Sequence, residues 1–250
     1  MPTLLQKILP EEGNYCIVGL KDKVNPQQSF HSDWDTIETH IEDLRQGDFN
    51  IYFACASFAT YGKRTQENAI YMKSFWLDLD CGENKPYPNQ ADALEALLSF
   101  CQQTKLPTPT IVNSGRGIHV YWILKESIQK NEWNPIAKQL KILCKEKGLE
   151  ADPAVTADSA RILRVPDTLN YKTDPPAKVS VLRESPEIDF EEIKTLIGIT
   201  ETTNEHIFAE VDSRQKDNQQ YSFSKIIQKI VKGKGCPQKE YAIKNQTEVD

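Results

Sequence analysis

What most constrains this chain is the stretch between residues 70 and 152, where the spacing of apolar residues switches between strand-like and helix-like in a fixed order. Residues 70–80 are rich in aromatic and apolar side chains and read as a strand. Residues 91–104 place Leu94, Leu97, Leu98 and Cys101 at helical spacing, with Asn89 near the start. Residues 110–113 and 118–124 read as strands joined by Ser114-Gly115-Arg116-Gly117. Residues 132–147 read as a helix capped by Asn131 and ended by Gly148, with an extended segment after it near 149–152.

The resulting order, β-α-β-β-α-β, predicts an α+β fold: an RRM-like split β-α-β sheet with two helices on one face and the other face open. An N-terminal α/β unit precedes it: a short helix near 4–9, a strand at 15–18, a helix at 34–45 with Ser32 as N-cap and Gly47 past its end, and a strand at 50–56. Residues 61–68 read as an exposed loop. Past the central block we expect a helical turn at 159–163, a loop at 166–176, a strand at 178–182 and a helix at 190–197. These make one domain over residues 1–200. Polar residues 201–220 then read as a linker, and 221–250 as the start of a short helical C-terminal extension, with a helix at 223–231. We expect the sequence to continue into a longer protein.

Composition narrows the function class. Of 250 residues, 39% are hydrophobic and 26% charged, the balance of a soluble globular protein. The longest apolar run, residues 51–56, is far too short to cross a membrane, and the first ten residues lack a signal peptide's features, so we expect a cytoplasmic protein and no membrane partner. The six cysteines are widely spaced with no Cys-x-x-Cys pair, from which we expect free, mostly buried thiols and no zinc. The net charge of -6 argues against a uniformly basic polyanion binder. It hides a gradient, however, because residues 214–244 hold eight basic and two acidic residues. An acidic body binds polyanions only if cations and local arginines supply the field.

Three clusters carry chemistry. In Leu77-Asp78-Leu79-Asp80 the two aspartates alternate with leucines on a strand, so both carboxylates project from one face. Such a pair repels itself unless a cation sits between, and oxygen donors suit Mg2+ or Mn2+ better than zinc. In Ser114-Gly115-Arg116-Gly117-Ile118-His119 the glycines permit close backbone approach, and successive N–H groups can form an anion-binding nest, with His119 and Tyr121 on one strand face. In the third, Asp152 and Asp158 precede Arg161 and Arg164, which on a helical turn would fork around phosphate oxygens, with Asn170 and Lys172 downstream. Taken singly, each cluster also reads as ordinary surface: a solvated acidic pair, a glycine turn beside a satisfied histidine, and a local salt bridge.

In this order, the three clusters resemble the motifs of the archaeo-eukaryotic primase superfamily, in particular the primase-polymerases of phages and plasmids, over residues 50–183. The resemblance implies a nucleotidyltransferase, a DNA primase and polymerase that makes and extends primers on a single-stranded DNA template from nucleoside triphosphates (NTP or dNTP) in phage or plasmid replication. A fused or separate helicase is an implied partner, and the host cytoplasm the implied setting. Asp78, Asp80 and Asp152 would hold two Mg2+ or Mn2+ ions. Ser114, Arg116, Gly117, His119, Arg161, Arg164, Asn170 and Lys172 would bind the incoming nucleotide, His119 counting also as catalytic. Asp158 is the alternative third ligand, or a partner that orients Arg161; Lys63, Arg64 and Lys73 are further candidates for phosphate or template contact. Asp167 stands where many relatives carry glycine in a Pro-Gly-Thr turn.

Two other functions compete. A replication-initiator endonuclease would need a His-hydrophobic-His pair, which His31, His40, His119 and His206 do not form. A non-catalytic single-stranded nucleic-acid-binding module with an RRM-like fold would stack bases on Trp76, Tyr121 and Trp122.

Overall fold

The computed structural model describes residues 3–198. The linker expected at 201–220, the helix expected at 223–231 and the basic run lie outside the described residues, as do His206 and Cys236. Two larger antiparallel sheets, a two-stranded antiparallel ribbon and five helices make up the described part. The chain begins with α1 (Leu4–Ile8), closed at its start by a reciprocal pair of hydrogen bonds between Thr3 and Gln6. Strands β1 (Tyr15–Leu20) and β2 (Gln27–His31) follow, then α2 (Trp34–Gln46). Asp33, rather than Ser32, caps α2 through a bond from the Thr36 N–H, and Gly47 ends it.

The predicted strand at 50–56 divides at Cys55. Strand β3 (Asn50–Ala54) lies in a four-stranded sheet of order β2-β1-β3-β8, whereas β4 (Ala56–Phe58) edges a five-stranded sheet of order β11-β6-β7-β5-β4. One continuous extended segment thus serves both sheets. At the crossing, the Cys55 N–H donates to the carbonyl of Arg161 at 3.1 Å, which satisfies a backbone donor that neither ladder takes.

The five-stranded sheet contains the central block: β5 (Ala69–Leu79), α3 (Gln90–Thr104, capped by Asn89), β6 (Thr110–Asn113), β7 (Ile118–Gln129) and α4 (Lys130–Glu146). Helix α4 leads straight out of β7 through Gln129, so Asn131 lies inside it rather than at its cap. The predicted strand at 149–152 does not form. In its place a single backbone bond joins Asp152 N–H to the Asp78 carbonyl at 2.9 Å, on the edge of β5 away from β7.

The segment predicted as a helical turn at 159–163 is instead a tight turn running into β8 (Ile162–Arg164), which pairs with β3. Short strands β9 (Leu169–Asn170) and β10 (Ala177–Lys178) fall at the predicted loop and its end. Strand β11 (Ser180–Arg183) and helix α5 (Phe190–Gly198) complete the described chain. Asp167 adopts φ 61°, the left-handed conformation that glycine enters freely and aspartate tolerates better than most residues.

Burial corrects the expectation of an open face. Along β5, Ser74, Trp76 and Asp78 share one face, and Phe75, Leu77 and Leu79 the other. The register sets Trp76 opposite Tyr121 and Asp78 opposite His119. Helix α3 reaches the Leu79 face, where the Gln90 amide donates to Asn113 Oδ1 at 2.7 Å and to the Gly117 carbonyl at 3.0 Å. The Trp76 face is covered too. The Tyr121 ring lies 6.4 Å from Phe53 of β3, and Trp76 Nε1 donates to the Val155 carbonyl at 3.0 Å. The two large rings are shut from water by different neighbours, Tyr121 by β3 and Trp76 by the ring of Trp133 in α4, 4.6 Å away.

Cys16, Cys55, Cys81, Cys101 and Cys144 are free and buried, as their spacing predicts. Among the described residues, no helix is long and apolar enough to cross a membrane.

Candidate active site

Asp78 remains at the end of the covered face. Its side chain is 18% exposed, and its Oδ1 lies 3.9 Å from His119 Nε2, too far for a hydrogen bond. Burial, then the neighbouring charges of Asp80 and Asp152, raise the Asp78 pKa from 3.8 to about 7, although Arg161 and Arg164 oppose the shift. Burial and the same two arginines push His119 down to about 3, so its imidazole is neutral at physiological pH. It can offer a phosphate one N–H, without the positive charge of an imidazolium.

The other acids are neutralised locally. Asp80 accepts from Lys85 Nζ at 2.8 Å. Asp152 lies 3.7 Å from Arg161 Nη2, and its Oδ1 accepts the Ala154 N–H at 2.9 Å. Asp158 does not orient Arg161 through its side chain. Its carboxylate instead accepts from Ala160 N–H and from Gln66 Nε2, which fixes the turn before β8. Its place as an alternative third ligand therefore weakens, and Asp152 is the acid that stands beside Asp78.

Asp80 and Asp152 raise the cost of charging Asp78, and carboxylate oxygens suit a hard divalent cation by donor chemistry. As placed, no three His, Cys, Asp or Glu side chains among the described residues converge on one point. Asp80 is paired with Lys85, and Asp152 with Arg161. Oxygen donors of this kind are the type that Mg2+ and Mn2+ accept.

Arg164 approaches from the second sheet. It is buried, stacks over the Tyr52 ring at 4.7 Å and donates to Asn50 Oδ1 at 2.9 Å. Asn50 Oδ1 also accepts the Tyr171 N–H at 3.0 Å, so one buried amide oxygen ties β8 to the segment after β9. Arg161 and Arg164 were expected to fork from a helical turn. They come together differently, Arg161 from the turn and Arg164 from the strand, yet both act on Asp78 and His119.

The glycine hairpin is not an empty nest. Ser114 N–H donates to the Gly117 carbonyl at 3.0 Å, Gly115 N–H to Asn113 Oδ1 at 2.7 Å, and Gly117 N–H to Ser114 Oγ at 3.1 Å. Asn170 is fully occupied as well: its amide donates to the Ser114 carbonyl at 2.9 Å, and its oxygen accepts the Lys172 N–H at 3.0 Å. These bonds of Ser114, Gly117 and Asn170 shape the turn. A Cβ on Gly117 would lie 2.2 Å from the Leu79 carbonyl oxygen, so glycine here lets the hairpin close against the strand end that carries Asp78 and Asp80. Arg116 stands exposed at the tip, close enough to perturb both Lys85 and Arg164. Lys172 is exposed on the turn beyond Asn170.

The structure thus brings together Asp78, Asp80, Asp152, His119, Arg116, Arg161 and Arg164. Lys85 belongs with them and was missed, because a single lysine in a polar turn carries no pattern. Lys73 is ion-paired with Glu11, and Arg64 donates to the Ala160 carbonyl, which leaves Lys63 as the exposed member of that expected group.

No family model and no curated sequence matches the chain. Among solved structures, the archaeo-eukaryotic primase domain of the cyanophage S-2L primase-polymerase is similar, with a TM-score of 0.55 at 14% identity, over 74% of this chain and 89% of that one. The fold is that of an archaeo-eukaryotic primase domain. Primase RepB′ superposes with a TM-score of 0.49 at 14% identity, over 82% of this chain and 59% of that one. The polymerase domain of Mycobacterium tuberculosis ligase D gives 0.42 at 16%, over 73% and 70%. Within this primase-type fold, Trp76, Tyr121 and Trp122 are all buried, so the aromatic face that a base-stacking module needs is not at the surface.

Proposed function

We propose that this domain is the catalytic part of a DNA primase-polymerase, which makes and extends primers on single-stranded DNA by template-directed nucleotidyl transfer. The observation that carries the reading is the gathering of Asp80, Asp152, Arg161 and Arg164 around Asp78, with Arg116 near enough to act on Arg164. Acids alone repel a triphosphate and bases alone do not hold cations; side by side they suit the two halves of one substrate complex.

Asp78, Asp80 and Asp152 would hold Mg2+ or Mn2+, two ions by the family resemblance, which supply charge neutralisation and activation of the attacking hydroxyl. Lys85 and Arg161 stand in as counter-charges until then, and are released to face the nucleotide's phosphates. Arg164, fixed by Asn50 and Tyr52, holds a positive charge near Asp78. Neutral His119 offers an N–H without attracting the acids away. The hairpin keeps Arg116 at its tip. The partners implied are a single-stranded DNA template, nucleoside triphosphates and, in phage or plasmid replication, a helicase fused or separate.

The test is primer synthesis and extension on single-stranded DNA with Mg2+ or Mn2+ and labelled ribo- or deoxynucleotides. We expect product with the wild-type chain and none with Asp78→Ala. Retention of the template with no nucleotide incorporated would point to the binding-module alternative.

A further inference from the structure

The four-stranded sheet carries a second cluster of metal-ligating side chains, remote in chemistry from the acids around Asp78. His31 ends β2 and His40 lies in the middle of α2. Their ring centroids are 5.1 Å apart with planes tilted by 38°. In both rings Nε2 is shut off from solvent without a hydrogen-bond partner. Buried nitrogens of this kind are uncommon, and two on adjacent rings call for a shared explanation.

A simple geometric relation supplies one. Imidazole nitrogens bind zinc-like ions at about 2.0–2.1 Å, and the ring centre lies about 1.1 Å behind the nitrogen. Two such ligands at a tetrahedral angle have centroids about 5.2 Å apart, which is the separation seen. Burial lowers the pKa of both rings, and His31 is lowered further by His40, so both are neutral and able to ligate at pH 7. Asp43 follows His40 by three residues, on the same helical face. It lines a surface cleft of about 340 Å3 with Asp35, Thr36, Thr39 and His40. The Asp33 carboxylate is already engaged by the Thr36 N–H and hydroxyl.

We infer that His31 and His40 form a binding site for one borderline divalent transition ion of the zinc class, which clamps the edge strand β2 to α2. No third donor stands at bonding distance as the side chains lie, so Asp43 joins by a rotamer change or solvent completes the shell. Nitrogen donors separate this site from the oxygen-only set of Asp78, Asp80 and Asp152. It also revises the expectation of no zinc, which rested on cysteine spacing alone.

The experiment is calorimetric titration of the full chain with Zn2+ in excess Mg2+, for wild type, His31→Gln, His40→Gln and Asp78→Asn. We expect one saturable Zn2+ per chain in wild type and Asp78→Asn, weakened at least tenfold in each histidine variant. The inference is overturned if wild type shows no saturable binding, if both histidine variants bind as wild type does, or if Asp78→Asn alone loses it. Should a histidine variant fail to fold, 15N-histidine spectra of wild type decide: two of the four side chains shift on adding Zn2+ if the site exists, and none or others if it does not.

Discussion

The backbone N–H of Asp152 donates to the carbonyl of Asp78 at 2.9 Å, so two acids 74 positions apart in sequence are held side by side by the main chain. Their proximity is a property of the fold rather than of any cation. The carboxylates take separate partners, Asp152 the Ala154 N–H and Arg161, whereas Asp78 lies near His119.

Because Asp78 is buried among like charges, removing its charge should stabilise the chain while abolishing its chemistry. In metal-free buffer at pH 8, Asp78→Asn is expected to raise the melting temperature by about 2 °C or more. Primer extension should fall on the order of 10²-fold or more. Thermal denaturation and an extension assay on the same sample check both halves; a variant that is less stable yet active contradicts the site.

Stability should also depend on pH with a definite sign. The folded-state pKa of Asp78 is raised from 3.8 to about 7, so between those values the native state holds a proton that the unfolded chain has lost. The contribution of this group is therefore greatest at low pH and declines as pH rises through that window. Urea titrations of wild type and Asp78→Asn between pH 4 and 8 should diverge with rising pH, the wild type losing more. Saturating Mn2+ at pH 7.5 should recover the difference, since ligation favours the deprotonated acid.

Gly117 should tolerate no side chain. The 2.2 Å approach of a Cβ to the Leu79 carbonyl is to backbone, which cannot swing aside. Gly117→Ala is expected to cost about 2 kcal/mol or more and to lower extension by displacing the strand end before Asp80. Gly198→Ala, where nothing lies within 4 Å, is the control and should change little. Equal effects in denaturation curves would refute the packing argument.

Asn50 should act through Arg164. Its oxygen accepts from both Arg164 Nη1 and Tyr171 N–H, so Asn50→Ala removes the acceptor of one buried and one half-buried donor, at about 1–3 kcal/mol. The kinetic signature expected is a higher KM for the nucleotide with a smaller change in kcat, because Arg164 keeps its charge but loses its fixed position. Steady-state extension kinetics separate the two; an unchanged KM would mean that Arg164 does not face the substrate.

Legibility in sequence followed the range of the forces involved. The acidic pair of β5 and the strands on either side of the hairpin were readable because alternation and glycine turns are local. Strand β2 was not, since Gln27, Gln28 and Ser29 lie on an exposed edge and show no alternation. The covered face was missed because helices α3 and α4 announce themselves by period, whereas Phe53 of a second sheet packing on Tyr121 leaves no mark in the central block. That the Asn170 amide bonds the Ser114 carbonyl, 56 positions away, is visible only in three dimensions, whereas the Ser114 hydroxyl acts within its own hairpin. Asp167 was readable in reverse: the residue looked out of place for its turn, and the turn proves to have the glycine-like φ.

The segment 50–58 crosses from one sheet to the other with only Cys55 between its two ladders. A shared strand of this kind acts as a weld rather than a hinge. The strand end that bears Asp78 is thus tied to both sheets, and accommodation around it falls to the turns bearing Lys85, Arg116 and Arg161.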